Sequence, residues 1–192
     1  MSAADSTAYC PDFRQFYLLV ILLLLLPCQL QAAEIKIESA STKINQGMYQ
    51  LNANIHYELN DEVLDALNNG VTITMLLTIK LERQRAYLWN ESISKLLQRY
   101  ELEYHALSGQ YIVKKLASAE QQSYLSLSAA LRALGRVHEL PIIKQDALQD
   151  SKNVVVKIHS ELDTNALPAP LRPLAWVESY WQLSSEWFSC PL

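Results

Sequence analysis

From Tyr49 to Glu58 apolar and polar residues alternate without interruption. Tyr49, Leu51, Ala53, Ile55 and Tyr57 stand on one parity, and Gln50, Asn52, Asn54, His56 and Glu58 on the other. A period of two is the signature of a strand with one buried face; a helix would scatter these residues around its axis. The same period recurs along the chain. Ile35 and Ile37 alternate with Glu34, Lys36 and Glu38, and Tyr100, Leu102, Tyr104 and Ala106 alternate with Arg99, Glu101, Glu103 and His105. Val154, Val156 and Ile158 alternate with Val155, Lys157 and His159. Residues 71–81 are rich in Val, Ile, Thr and Leu on both parities, as a central strand covered on both sides would be. A last strand is expected over residues 178–188, where Trp181, Leu183 and Trp187 share a parity with Val177.

Turn and cap signals divide these runs. Ser108-Gly109 separates two alternating segments by hairpin spacing, which would set Tyr104 opposite Val113 and Glu103 opposite Lys114. Asn60-Asp61-Glu62 begins a short helix ending at Gly70. Ser118 with Gln121 forms a capping box for a second helix, whose stripe is Tyr124, Leu127, Leu131 and Leu134 and whose stop is Gly135. A weaker third helix is expected over residues 144–150, and residues 167–173, with three prolines, read as a stiff connector. The expected fold is mainly β (α+β): a single antiparallel β-sandwich or curled sheet with two to three short helices over residues 34–192.

The first 33 residues are a different material. Phe16 to Leu26 is a run of eleven apolar or aromatic residues, preceded by Arg14 and ended by Pro27. That length suits the core of a secretion signal and falls short of the roughly 20 residues of a spanning helix. Gln31-Ala32-Ala33 supplies small residues for cleavage near Ala33, although Asp5 and Asp12 weaken the positive charge of the leader. The expectation is an exported, periplasmic protein with no membrane span after cleavage; the alternative is anchoring in the inner membrane by an uncleaved signal. Cys28 follows proline, a poor context for lipid attachment. The one cysteine beyond residue 33, Cys190, excludes an internal disulfide in the mature chain.

Charge excludes more than it suggests. A net charge of −4, with no run of Lys and Arg, argues against nucleic acid and offers no polybasic segment for anionic lipid. No nucleophile elbow, paired cysteines or glycine-rich phosphate loop occurs, so no cofactor is expected and the chain reads as non-enzymatic. The residual chemistry lies with histidine. His56, His105 and His159 each occupy the polar parity of a strand, two residues from Glu58, Glu103 and Glu161 respectively. Neighbouring strands would let them converge on a metal; unrelated strands would leave them on solvated sheet faces. Arg83, Arg85, Tyr87 and Trp89 form a candidate interaction surface, and Trp176 and Trp187 add to an aromatic-rich C-terminal part, where core packing is the competing explanation.

Three segments carry a family resemblance: Ala66-Leu67-x-x-Gly70-Val71-x-Ile73, residues 104–113, and Leu167-Pro168-Ala169-Pro170-Leu171-Arg172, together with Trp181-x-Leu183-x-Ser185. They resemble a family of uncharacterised exported bacterial proteins, domain of unknown function 4390 (DUF4390). The resemblance covers residues from about Glu34 to Leu192 and implies export, with no activity, ligand or catalytic residue to transfer. It also implies a link to signalling, because such proteins are often encoded near an envelope-sensing histidine kinase. The leading expectation is therefore a binding or accessory module for an envelope membrane-protein partner, such as a sensor kinase, or for a small apolar ligand. A metal-dependent enzyme on the histidine-bearing face and a purely structural envelope protein are the alternatives.

Overall fold

In the computed structural model, residues 34–148 and 153–192 are described. The expected export segment, Cys28 and the end of the expected third helix lie outside them. The described chain is mainly β, with two antiparallel sheets and no closed barrel. Strands β1 (Ile35–Asn45), β2 (Met48–Tyr57) and β7 (Arg136–Lys144) make a three-stranded sheet in the order β1-β2-β7. Strands β3 (Ile73–Arg83), β4 (Glu91–His105), β5 (Gln110–Lys115), β6 (Glu120–Tyr124), β8 (Val154–Leu162) and β9 (Phe188–Pro191) make the larger sheet, in the order β6-β5-β4-β3-β8-β9. Among the described residues three helices accompany them: α1 (Asp61–Asn68), α2 (Leu127–Gly135) and α3 (Arg172–Val177).

The core lies between the facing sides of the sheets, where the alternation read from the sequence delivers its apolar parity. Tyr49, Leu51, Ala53, Ile55 and Tyr57 of β2 are all buried, as are Met75, Leu77, Ile79 and Leu81 of β3 and Val154, Val156 and Ile158 of β8. Between the sheets, the buried Tyr57 hydroxyl meets Ser160 Oγ at 2.9 Å, so one polar pair in the core is satisfied. Burial pushes the Tyr57 phenol far above its ordinary value, and it stays neutral. β3 is central in both senses: it pairs with β4 and β8, and Thr74 and Thr78 on its other face are also buried. Ala33–Leu192 form one compact unit with this core, the condition for folding without the preceding residues.

The structure corrects several expectations. The β4–β5 connection is a four-residue turn, Ala106–Gly109, and Tyr104 faces Tyr111 while Glu103 faces Ile112. The shift is by two residues, so every side chain keeps its face; Lys114 still reaches Glu103 diagonally at 2.8 Å. The segment after Ser118 is strand β6, and α2 starts only at Leu127, capped by Ser126 Oγ accepting from the Ala129 amide. Ala119 at φ 54° turns the chain so that β6 pairs with β5. Residues 144–147 contribute the end of β7 and one 3-10 turn. Residues 178–188 hold a 3-10 turn and a single bridge, Glu161 to Ser184, and the last strand forms later, over Phe188–Pro191. Leu171 and Arg172 of the stiff connector lead directly into α3, with Pro173 in its first turn, where a missing amide hydrogen does no harm. Gly135 is no left-handed stop: it is glycine because α2 rests on β2, and an added Cβ would stand 1.9 Å from the Ile55 carbonyl oxygen.

Candidate functional site

The β3–β4 hairpin ends in a seven-residue loop, Gln84 to Asn90, exposed throughout. Its base is braced. The register closes on Arg83 opposite Glu91. The Glu91 carboxylate accepts from Arg83 at 3.1 Å and from Arg85. Across the base, Asn90 donates to Glu82 at 3.2 Å, and the Gln84 amide donates to the Asn153 carbonyl at 2.8 Å beside β8. Two carboxylates thus anchor the loop from inside, and the Arg85 guanidinium hydrogen-bonded to Glu91 holds that carboxyl below its ordinary value. The loop carries its apolar side chains outward: Tyr87 is 97% exposed, Leu88 65% and Trp89 91%. Solvating three adjacent large apolar side chains at the end of a braced hairpin is unfavourable in isolation and is the usual mark of an interaction site.

Beneath the loop, strand pairing gathers charge that is dispersed in the sequence. Lys80 of β3 stands opposite Lys95 of β4 on one side and Lys157 of β8 on the other. With strands about 4.8 Å apart, this is a row of three ammonium groups on the outer face of the large sheet. Like charges directly opposite one another are unfavourable. The row is relieved at two places: Lys157 donates to Glu82 at 2.8 Å, and Lys80 lies 4.3 Å from the ring centre of Trp187. The Trp187 ring also stacks with His159, centroids 4.8 Å apart. Among the described residues, Lys95 has no carboxylate partner.

The Lys157 ammonium, hydrogen-bonded to Glu82, is the main cause holding that carboxyl below its ordinary value. Its stabilising effect is therefore present at neutral pH and is lost as pH falls through the lowered value. Glu82→Gln is expected to be less stable than the parent at pH 7 by within about 1 kcal/mol, and the difference should vanish in acid. Urea titrations at neutral and acidic pH check this. A gap that widens in acid would refute the pairing.

The six residues of the expected interaction surface fall in three places. Arg83, Arg85, Tyr87 and Trp89 share the hairpin end. Trp187, 45% exposed, lies on the outer sheet face. Trp176, 71% exposed, sits on α3 beyond the opposite end of the sheet, with the length of β8, about 27 Å, in between.

The three histidines are not brought together. His56 is on the outer face of the small sheet, away from the large one, while His159 lies level with Leu97 of β4 across Thr78. His105 is eight residues further along β4, about 27 Å away. Each keeps its own glutamate two residues off, and His159 Nδ1 comes within 4.0 Å of Glu161. Among the described residues no group of three or more His, Cys, Asp and Glu is placed to hold a metal ion. Cys190 is buried on β9, and burial raises its thiol above the ordinary value, which makes it a poor nucleophile.

The hollows in the surface are open and mixed in lining. A cleft of about 240 Å³ between β6 and β7 is bordered by Val113, Lys115, Glu120, Tyr124, Arg136 and His138. A wider one, about 520 Å³, lies between the β1–β2 turn and the end of β7 and is lined by Gln46, Lys144 and Asp146 among others. Neither offers the enclosed, apolar lining of a small-molecule site. Among the described residues no helix is long and apolar enough to cross a membrane.

The family described as Domain of unknown function (DUF4390) matches residues 32–191. No curated protein and no solved structure matches the chain.

Proposed function

The chain belongs to the DUF4390 family, whose description names no activity, and from the geometry we propose that it is an exported, non-enzymatic accessory module that docks at a membrane beside a membrane-protein partner. The loop of residues 84–90 is its docking element. One observation carries this reading: Tyr87, Leu88 and Trp89 stand out in solvent on a hairpin whose base is fixed by Glu82 and Glu91. A braced base keeps the loop in one arrangement before it meets its partner, which lowers the entropy lost on binding. Enclosure of a small apolar ligand is the less favoured form of binding, because the hollows are open and their lining is mixed. The periplasmic side of the envelope is the proposed place of action, on the strength of the leader-like residues 1–33.

A photoreactive side chain at position 88, in cells expressing the full chain, tests the proposal. Irradiation is expected to give discrete adducts with membrane-embedded components. The same probe at Gln121, on the exposed β6 strand, should give none. Equal labelling from both positions, or none from position 88, would overturn the assignment of the loop.

A further inference from the structure

We propose that the loop docks directly on an anionic phospholipid surface, Tyr87, Leu88 and Trp89 entering the headgroup region and the lysine row holding the sheet upright above it. This rests on the reading of the loop as the docking element and names what it meets. The side chains at the tip suit such a boundary. Tyr and Trp, with an apolar body and a polar edge, settle at the boundary between hydrocarbon and water, and Leu88 between them adds purely apolar area.

The charge around the tip complements an anionic surface. Among the described residues, Lys80, Lys95 and Lys157 stand toward the hairpin end of the outer sheet face against Glu82, while Arg83, on the parity of Val154, and Arg85 meet Glu91 at the base of the loop. The opposite end of the same face has the reverse balance, with Glu101, Glu103, Glu161 and Asp163 against Arg99 and Lys114. A chain of net charge −4 is therefore polarised along its strands, basic at the apolar tip and acidic at the far end. Lys80 is three residues from the end of β3, about 10 Å from the base of the loop. That is within about one screening length at physiological salt, so the row is attracted by a negative surface that the tip touches. Lys43 and the half-exposed Ile44, near the β1–β2 turn, lie at the same end: Thr42 Oγ1 donates to the Pro191 carbonyl, and Pro191 pairs with Val155, one residue from the Val154 that faces Arg83.

The aromatic side chains of the tip have no competing internal role. Tyr87 and Trp89, at 97% and 91% exposure, contribute nothing to the core. Their replacement is expected to leave the fold intact, which makes them clean probes.

The test uses the unit 33–192, freed of the apolar residues 16–26 that would bind lipid by themselves, and co-sedimentation with vesicles. With phosphatidylcholine vesicles containing on the order of one-third phosphatidylglycerol, binding is expected together with a blue shift of tryptophan emission. Pure phosphatidylcholine should bind weakly. Trp89→Ser with Tyr87→Ser should weaken binding about tenfold or more, Lys95→Glu should weaken it most at low salt, and Trp176→Ser at the far end should leave it unchanged. No binding to the anionic vesicles, or equal losses from Trp89→Ser and Trp176→Ser, overturns the proposal. The photoreactive probe separates the two levels. Protein-only adducts from position 88, with no vesicle binding, reject the lipid surface and keep the loop as a docking element; no adducts and no vesicle binding reject both.

Discussion

Gly135→Ala is expected to destabilise the protein by about 3 kcal/mol or more, a large part of the roughly 5–15 kcal/mol that a domain of this kind possesses. The added methyl would sit 1.9 Å from the Ile55 carbonyl oxygen and 3.0 Å from its carbon. Both are backbone atoms in the middle strand of the small sheet, so no rotamer change relieves the clash. Helix α2 has to lift from β2 or the strand has to bend. Overpacking of flexible side chains usually costs less, because they swing aside. The informative control is Gly70→Ala. Gly70 has φ +85° with nothing near its missing Cβ, so alanine there meets only backbone strain, about 1 kcal/mol. Urea midpoints at constant slope give both values. Equal losses at the two positions would show that the approach of α2 to β2 is not the reason for glycine at 135.

Leu77→Ala is the second large effect, about 3–4 kcal/mol, from the lost transfer energy of the side chain and the cavity left behind. Leu77 is fully buried on β3 between Gln98 and Ser160 of the flanking strands, facing the small sheet. Leu76, one residue away, points to the other face of the same strand and is only partly buried. Leu76→Ala should cost about 1 kcal/mol or less. Two identical substitutions on adjacent residues thus report on the two faces of one strand. A ratio near one would mean that the outer face is as well covered as the core, and would remove the lysine row from the surface.

The fold is legible in the sequence where burial on one face imposes a period. β2, the first part of β1, β8 and the middle of β4 announce themselves because every second residue must be apolar to fill the space between the sheets. It is hidden where that constraint is absent. β6, Glu-Gln-Gln-Ser-Tyr, is an edge strand exposed along most of its length, so nothing apolar marks it. β7 contains Pro141, and its pairing with β2 is irregular at two points, with Glu139 at φ 49°, so its parity is broken by geometry invisible in composition. Ser118 and Ser126 are equally good caps; only the β5–β6 pairing, turning on Ala119, decides between them.

The candidate site divides in the same way. Tyr87 and Trp89 were legible because four charged or aromatic residues alternate on one short segment. The lysine row was not, because Lys80, Lys95 and Lys157 become neighbours only through the register of three strands. An absence of basic runs in the sequence therefore did not mean an absence of basic surface. The histidines erred in the opposite direction: a shared local pattern suggested convergence, and strand placement kept them apart.

Thr42 Oγ1 reaches the Pro191 carbonyl at 3.0 Å, joining residues 149 positions apart, and β2 waits for β7 as β3 waits for β8. A nascent or threading chain that enters N-terminus first therefore holds hairpins long before it holds a sandwich. Its last four-residue strand closes the larger sheet only when nearly every residue is available. Contacts of this span make for slow maturation and leave sheet edges open meanwhile, so truncation by even a few C-terminal residues should act on the yield of finished molecules more than on any one local contact.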